Sequence, residues 1–146
     1  MSEPIFADLP LETAQEILRG TLAAGREAEL LPLAVAVLDA RGVLKAFAAE
    51  SGIALGRPDL AIGKANAALQ FGLDTRELAE RAKALPQFFT AAGQSLHGGF
   101  VPNPGGILIR REDGALLGAI GVSGDIGDRD EAAALAGLQQ AGLLRG

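Results

Sequence analysis

The chain has 146 residues, 49% of them hydrophobic and 4% aromatic, and its formal net charge at pH 7 is −5, so one acidic domain with a buried core is expected. The negative charge and the scarcity of aromatic side chains argue against binding to nucleic acid or to an anionic membrane surface. There are no cysteines, which excludes disulfides, thiolate catalysis and thiolate-bound metals.

The first predicted element is a helix that follows an acidic start. Residues 1–4 lack the layout of a secretory signal, and no apolar run approaches the about 18 residues of a membrane span, so we expect a cytoplasmic protein. Asp8 can cap the helix, and Pro10 suits its first turn. Helical spacing predicts the packed face, which comprises Ala14, Ile17, Leu18, Thr21 and Gly25.

Two apolar runs, 33–38 and 43–49, are predicted to form a β-hairpin. They are joined by residues 39–42, which begin with Asp and end with Gly, as suits a type I turn followed by a left-handed residue. The first run has no polar alternation, which predicts a central strand covered on both faces. Lys45 interrupts the second run, which predicts a strand nearer the edge of the sheet.

Helices are predicted through the middle of the chain. Apolar spacing predicts one over residues 59–71. Asp74 with Glu77 resembles a capping box, which predicts a second helix over 75–85. Pro86 then either breaks this helix or opens another.

The segment 93–104 is predicted to be an irregular loop, with room for a very short strand near Ser95 and Leu96. Long ordered loops in small domains often carry function. His97, the only histidine of the chain, lies in this loop and is followed by two glycines. Because imidazole titrates near neutrality and its nitrogens ligate metal ions, His97 is a candidate metal ligand or general acid/base. The alternative is a histidine exposed at the surface or hydrogen-bonded within the loop.

A second hairpin and a final helix complete the predicted fold. Strands are predicted over 107–110 and 115–122 with a turn at 112–114, and a last helix begins with Asp128 and Glu131 as caps and runs to about residue 143. Because both strand pairs are hairpins, the sheet should be mainly antiparallel with helices packed on it, an α+β class.

Glycines recur at every third position from 118 to 127. They do not match the dinucleotide fingerprint, and we expect them to permit tight strand–helix or subunit packing. The bare main chain at Gly105 and Gly106 could instead approach a ligand. Ser123 and Gly124 nearly complete a nucleophile elbow, but the final glycine is absent, and Ser123 is expected to be a polar residue at a strand end.

Acidic residues crowd the start of the last helix. They could hold a divalent cation or could favour the helix N-terminus through its dipole, and the set is Asp125, Asp128, Asp130 and Glu131. Lys64 is an isolated charge among small apolar residues of its helix. Its ammonium group could face a ligand cleft or the solvent.

Together these segments resemble a known family, the GlcG/HbpS-like proteins, which include the C-terminal domain of PduO-type proteins. The resemblance runs from about residue 11 to 143 and is carried by residues 34–42, 61–68, 105–109, 118–124 and 130–132. Leu108 stands where members commonly carry proline, Asn66 stands where many carry arginine, and the loop 100–104 is built differently.

The resemblance implies a single domain over residues 1–146 with a profilin-like α/β/α arrangement and a five-stranded antiparallel sheet. It also implies a homo-oligomer, often an octamer, and for some members haem or corrinoid binding. The expected function is therefore that of a small-ligand-binding protein, with haem or another tetrapyrrole as the candidate ligand. If haem is bound, His97 is the candidate axial ligand of the iron, with Lys64 or a hydroxyl as an unusual alternative.

Two alternatives stay open. One is an enzyme acting on a small organic acid or carbonyl compound, with His97, Asp125 or Glu131 for proton transfer and Lys64 near a substrate carboxylate. The other is an accessory subunit without chemistry of its own. The candidate ligand-binding residues are His97, Lys64, Gly105, Gly106, Ser123, Gly124, Asp125 and Glu131.

Overall fold

The computed structural model describes residues 8–145, with the side chains of 144 and 145 left aside. The acidic start at residues 1–4 lies outside this part of the chain. The elements in order are α1 (Leu11–Glu27), β1 (Ala34–Asp39), β2 (Leu44–Ala49), α2 (Arg57–Phe71), α3 (Thr75–Ala84), α4 (Pro86–Ser95), β3 (Gly106–Arg110), β4 (Leu116–Ser123), α5 (Gly127–Gln140) and β5 (Leu144–Arg145). None of the helices within 8–145 is both long and apolar enough to cross a membrane.

The strands form an antiparallel sheet in the order β2-β1-β4-β3-β5. Four strands of five to eight residues make up the sheet, and β5 adds a two-residue extension beside β3. The predicted α+β class with an antiparallel sheet is confirmed. The predicted first hairpin is also present, with β1 fully buried and β2 at the edge.

The two faces of the sheet carry side chains of different size. Large side chains from alternate strand positions pack beneath α1 and α5, and they are Val35, Val37, Ile107, Ile109, Ile120 and Val122. The opposite face carries small residues such as Ala34, Ala36 and Ala119, and α2 packs there through Ala61 and Ala65. A strand with Val on one face and Ala on the other therefore lets α2 lie close to the sheet.

Several predicted caps make other bonds. The Asp8 carboxylate does not cap α1, whose N-cap is Pro10, and instead lies 2.6 Å from Lys45 Nζ. Asp74 is the N-cap residue of α3, but the predicted capping box is absent. Its Oδ1 accepts from the Leu108 N–H at 2.9 Å and so ties α3 to β3.

The boundaries near the C-terminal half also differ from prediction. Helix α4 extends through Ser95, so there is no strand at Ser95 and Leu96. Helix α5 ends at Gln140, and no side-chain hydrogen bond caps its start. The carboxylates of Asp128 and Glu131 reach Arg76 of α3 instead, because a guanidinium on a neighbouring helix offers a stronger partner than a helix N–H.

Candidate functional site

The glycines of β4 permit close packing. A Cβ on Gly121 would overlap the carbonyl oxygen of Ala61 in α2, and one on Gly118 would overlap that of Leu38 in β1. Gly124 is equally crowded by Pro32. The bare main chain of this hairpin is therefore covered by neighbouring protein, as the packing interpretation of the glycine series predicts.

Gly105 and Gly106 lie against Lys64. Gly105 has φ +129°, and a Cβ there would sit 2.9 Å from Lys64 Nζ and 2.6 Å from the Val122 carbonyl oxygen. Gly106 opens β3 and is fixed by Thr75, whose Oγ1 accepts from the Gly106 N–H at 2.8 Å. Gly105 makes room for the Lys64 side chain, Gly106 makes room for the main chain of Lys64 and for Thr75, and both glycines are buried.

Lys64 forms a buried ion pair. Its Nζ donates to the Val122 carbonyl oxygen at 2.9 Å and to Asp130 Oδ2 at 3.1 Å. The Lys64 side chain is 3% exposed and that of Asp130 is 0% exposed, so both charges lie in the interior. Burial lowers the pKa of Lys64, and the neighbouring Asp130 carboxylate opposes that shift. The pair joins α2, β4 and α5 across the small-residue face of the sheet.

The corner after β4 is held by Asp125. Its Oδ2 accepts from the Leu31 N–H at 2.9 Å, its Oδ1 accepts from the Ile126 N–H at 2.8 Å, and its own N–H donates to Asp130 Oδ1 at 2.9 Å. The backbone hydrogen bond from Leu31, followed by that from Ile126, holds the pKa of Asp125 below its usual range. These bonds join the distant loop of Leu31 and the corner after β4 to the start of α5.

Ser123 and Glu131 are also bonded to arginines. The Ser123 hydroxyl is fully buried and lies 3.3 Å from Arg57 Nη1, which cannot act as a general base. Glu131 is 7% exposed, and its Oε1 lies 3.0 Å from Arg76 Nε. Among the described residues, no cluster of three or more His, Cys, Asp or Glu is arranged to hold a metal ion.

His97 lies apart from this group. It is exposed, and it lines an open cleft of about 390 Å³ together with the β1–β2 turn and one side of α2. The lining is mostly polar and consists of Ala40, Arg41, Gly42, Asn66, Leu69, Gln70, His97 and Gly98. None of the other seven candidate residues from the sequence contributes to it.

Asn66 connects α2 to the loop of His97. Its Nδ2 donates to the carbonyl oxygens of His97 and Gly99, each at 2.6 Å, and the residue is 5% exposed. Arg41 stands at the other wall of the cleft, where its Nη2 lies 3.4 Å from Asp39 Oδ2. In the sequence, Asn66 was visible only as a departure from the family pattern, and Arg41 carried no signal of a functional role.

Comparison with known proteins identifies a family. The family model described as haem degrading protein HbpS-like matches residues 9–139 of the chain. The chain belongs to the HbpS-like family. No curated protein matches it significantly in sequence.

Solved structures related to this HbpS-like chain have the same fold. A double mutant of HbpS from Streptomyces reticuli is 28% identical, with a TM-score of 0.78 over 95% of this chain and 97% of that one. A crystal structure of HbpS is 27% identical, with a TM-score of 0.79 over 95% of this chain and 92% of that one. A PduOC–haem complex, 22% identical, has a TM-score of 0.83 over 94% of this chain and 97% of that one, and shows the shared fold alone.

An apolar groove lies on the side of this HbpS-like domain opposite to the His97 cleft, and it was not expected from the sequence. It has a volume of about 480 Å³ and lies between α1 and α5. Its walls are Ala24, Ala28, Leu30, Arg129, Ala132, Ala133 and Ala136. Alternating small residues on two helices could have indicated it, but helical spacing alone cannot tell a groove from a packed contact.

Proposed function

We propose that this protein binds haem or a closely related tetrapyrrole, with His97 as the axial ligand at the open cleft. The observation that carries the proposal is the position of the single imidazole, exposed on the wall of that cleft. Family membership supports it, because the matching family is described by haem chemistry. The solved PduOC–haem complex of the same fold supports it further.

The residues present at the cleft fit such a ligand. A neutral imidazole nitrogen is the commonest protein donor to haem iron. The Arg41 guanidinium on the facing wall can receive a propionate carboxylate, and Leu69 offers an apolar contact for the ring. When bound, the haem iron would supply a centre for ligand binding and electron transfer.

The polar and open character of the cleft shapes the expected affinity. A tetrapyrrole there would keep one face towards solvent or towards a neighbouring copy, because the lining is mostly polar. Apolar burial is the main source of affinity for such ligands. We therefore expect binding that depends on the iron–imidazole bond and exchanges readily.

Titration with haemin tests the proposal. Wild-type protein should produce a shifted Soret band that saturates at a fixed ratio, His97→Ala should lose the shift, and Gln70→Ala should keep it. Gln70 is the matched control because it lines the same cleft and is exposed. Metal-free protoporphyrin should bind far more weakly than haemin. An unshifted spectrum with wild type, or an unchanged shift in His97→Ala, would refute ligation by His97.

We also propose that the chain forms a homo-oligomer, with an octamer as the expected size. Large apolar side chains stand out on three loops, with Leu31 60%, Leu55 96% and Ile126 61% exposed. Two of these loops are tied to Asp125 by hydrogen bonds, so their apolar tips are held rigidly. Light scattering after size-exclusion chromatography should give a fixed mass above the monomer, and Ile126→Asp should lower it. A monomer for wild type at all concentrations would contradict this.

The acid–base alternative has no comparable support. Lys64, Asp125 and Glu131 are each bonded to other groups of the protein and are nearly buried. His97 is exposed, but the described residues that line its cleft include no carboxylate or lysine that could complete an acid–base pair with it. A proton-transfer group needs to reach a substrate atom directly or through one water. We therefore advance the binding function alone.

A further inference from the structure

We propose that Asn66 is the positioning residue of the cleft, because its side-chain amide fixes the main chain of the loop that presents His97. This inference rests on the proposed haem-binding function and adds the residue that prepares the site. His97 and Asn66 are 31 residues apart in sequence. The hydrogen bond from Asn66 Nδ2 to the His97 carbonyl oxygen joins helix α2 to the loop that carries the imidazole.

The loop needs an external restraint. Gly98 and Gly99 have φ of +89° and +81°. Glycine adopts this left-handed conformation readily, but it populates other conformations as readily, so the two glycines alone do not fix the loop. The imidazole of His97 has no hydrogen-bond partner among residues 8–145. The direction of the side chain therefore depends on the main chain around it.

Asn66 supplies that restraint from the interior. Its Nδ2 reaches the carbonyl oxygens on both sides of Gly98, those of His97 and Gly99, at 2.6 Å each. Both partners are pure acceptors, so only the amide NH₂ can face them, and this settles the orientation of the Asn66 side chain. Its Oδ1 faces away and lies 3.3 Å from Gln70 Nε2.

Steric contact complements these hydrogen bonds. A Cβ on Gly98 would lie 3.0 Å from Asn66 Cγ, and a Cβ on Gly99 would lie 3.3 Å from Gly63 Cα. The Val101 N–H donates to the Gly63 carbonyl oxygen at 3.1 Å. The loop is thus laid directly on α2, with Asn66 as its side-chain anchor and Gly63 as the surface that allows the approach.

Asn66→Asp is the sharpest test, since it keeps the shape but replaces the NH₂ with a carboxylate oxygen that repels both carbonyls. Asn66→Ala removes the contacts without adding charge, which keeps the test valid if the aspartate variant does not fold. Gln139→Ala is the matched control, because it removes an exposed amide side chain from α5, which packs on the other face of the sheet and does not line the cleft. Circular dichroism would establish that each variant is folded.

Two readouts separate this inference from the function on which it rests. The first is amide ¹⁵N relaxation and hydrogen exchange of residues 97–101, measured without haem. The second is the haemin titration. We expect both Asn66 variants to lose order in the loop and to bind haemin about tenfold more weakly with an unchanged Soret position, because preorganisation is lost while the ligand is not. Gln139→Ala should match wild type in both.

The outcomes are distinguishable. If wild type does not bind haemin, the proposed function fails, while loop order still reports on the anchor. If wild type binds through His97 but the Asn66 variants keep both loop order and affinity, the inference is wrong. Loss of loop order with wild-type affinity also overturns it, since the anchor then has no effect on the site.

Discussion

Helix α2 contributes to two polar regions of the molecule, which differ in burial and in how completely their groups are hydrogen-bonded. The Lys64–Asp130 pair lies in the interior, where Lys64 has two acceptors and Asp130 bonds on both oxygens. The His97 cleft lies at the surface, and the exposed imidazole has no hydrogen-bond partner among residues 8–145. Buried polar groups whose hydrogen bonds are complete stabilise one conformation, whereas exposed groups with unused donors and acceptors are available to a ligand.

The geometry of a helix produces this contrast within three residues. Lys64 and Asn66 are two positions apart on α2, so their side chains leave the helix about 160° apart. The Lys64 side chain reaches through the gap left by Gly105 towards α5, and the Asn66 side chain reaches the carbonyl oxygens of the His97 loop. A charged residue in a helix of small residues is therefore not by that alone a ligand contact.

The largest effect is expected from breaking the buried pair. Lys64→Met leaves the Asp130 carboxylate buried without its cation, which should cost about 3–5 kcal/mol of unfolding free energy. Lys64→Met with Asp130→Asn should recover part of this, because Asn can still accept from the Asp125 N–H. Urea denaturation measures both.

The matched control for the buried pair is the exposed pair of Lys83 and Glu80. Lys83→Met should change the unfolding free energy by less than about 1 kcal/mol. Equal costs for the two lysine variants would show that burial does not distinguish the regions.

A somewhat smaller loss of unfolding free energy is expected where strand β4 contacts helix α2, close to the Lys64–Asp130 pair. Gly121→Ala places a Cβ onto the Ala61 carbonyl and 2.7 Å from the Ala65 nitrogen, so α2 must move away from β4. Overpacking of this kind should cost about 1–3 kcal/mol. Gly56→Ala, which meets nothing within 4 Å, should cost less than about 1 kcal/mol by the same assay. An unaffected Gly121→Ala would mean that the two elements are not in close contact.

The acid dependence of stability should isolate the contribution of Asp125. Its pKa is lowered in the folded state, chiefly by the Leu31 N–H, so folding favours the charged carboxylate. This contribution is fully present above the unfolded pKa of about 3.9 and is lost as pH falls through the lower folded pKa.

The unfolding free energy of Asp125→Asn should therefore fall less steeply than that of wild type between about pH 5 and pH 2. Denaturation curves at several pH values measure the two slopes. Parallel slopes for the two proteins would be incompatible with a carboxylate held in its charged form.

The smallest effect on stability is expected in the cleft itself. His97→Ala removes an exposed side chain without a hydrogen-bonded partner, so the unfolding free energy should change by less than about 0.5 kcal/mol. Thermal or urea unfolding of the ligand-free protein checks this. A loss comparable to that of Lys64→Met would place His97 in the scaffold and remove the distinction between the two regions.

Much of the local structure was predictable from residue patterns. The turn at 39–42 and a strand β1 that is covered on both faces were predicted from short-range rules. The start of α4 at Pro86 was one of the two alternatives for that residue. The packing of the glycines in β4 was anticipated as well, because bare backbone at regular spacing is typical of a close contact. The exposed position of His97 was one of two open alternatives for its loop.

The hydrogen-bond partners of the polar residues could not be predicted from neighbouring residues in the sequence. Asp74 and Glu131 were predicted to cap helices, and their carboxylates bond instead to β3 and α3. Lys64 was expected to face a ligand cleft or the solvent, and it lies buried against α5. Asn66 carried no chemical signal of its own. Each of these contacts joins residues more than 30 positions apart.

Local sequence patterns account for which segments become strands and helices and which faces turn inward, because periodicity and turn chemistry act over a few residues. The burial of the Lys64–Asp130 pair and the exposure of the single imidazole follow from tertiary packing. A buried polar group must find its partner wherever the packed chain brings one, and that choice depends on the whole fold rather than on neighbours in sequence.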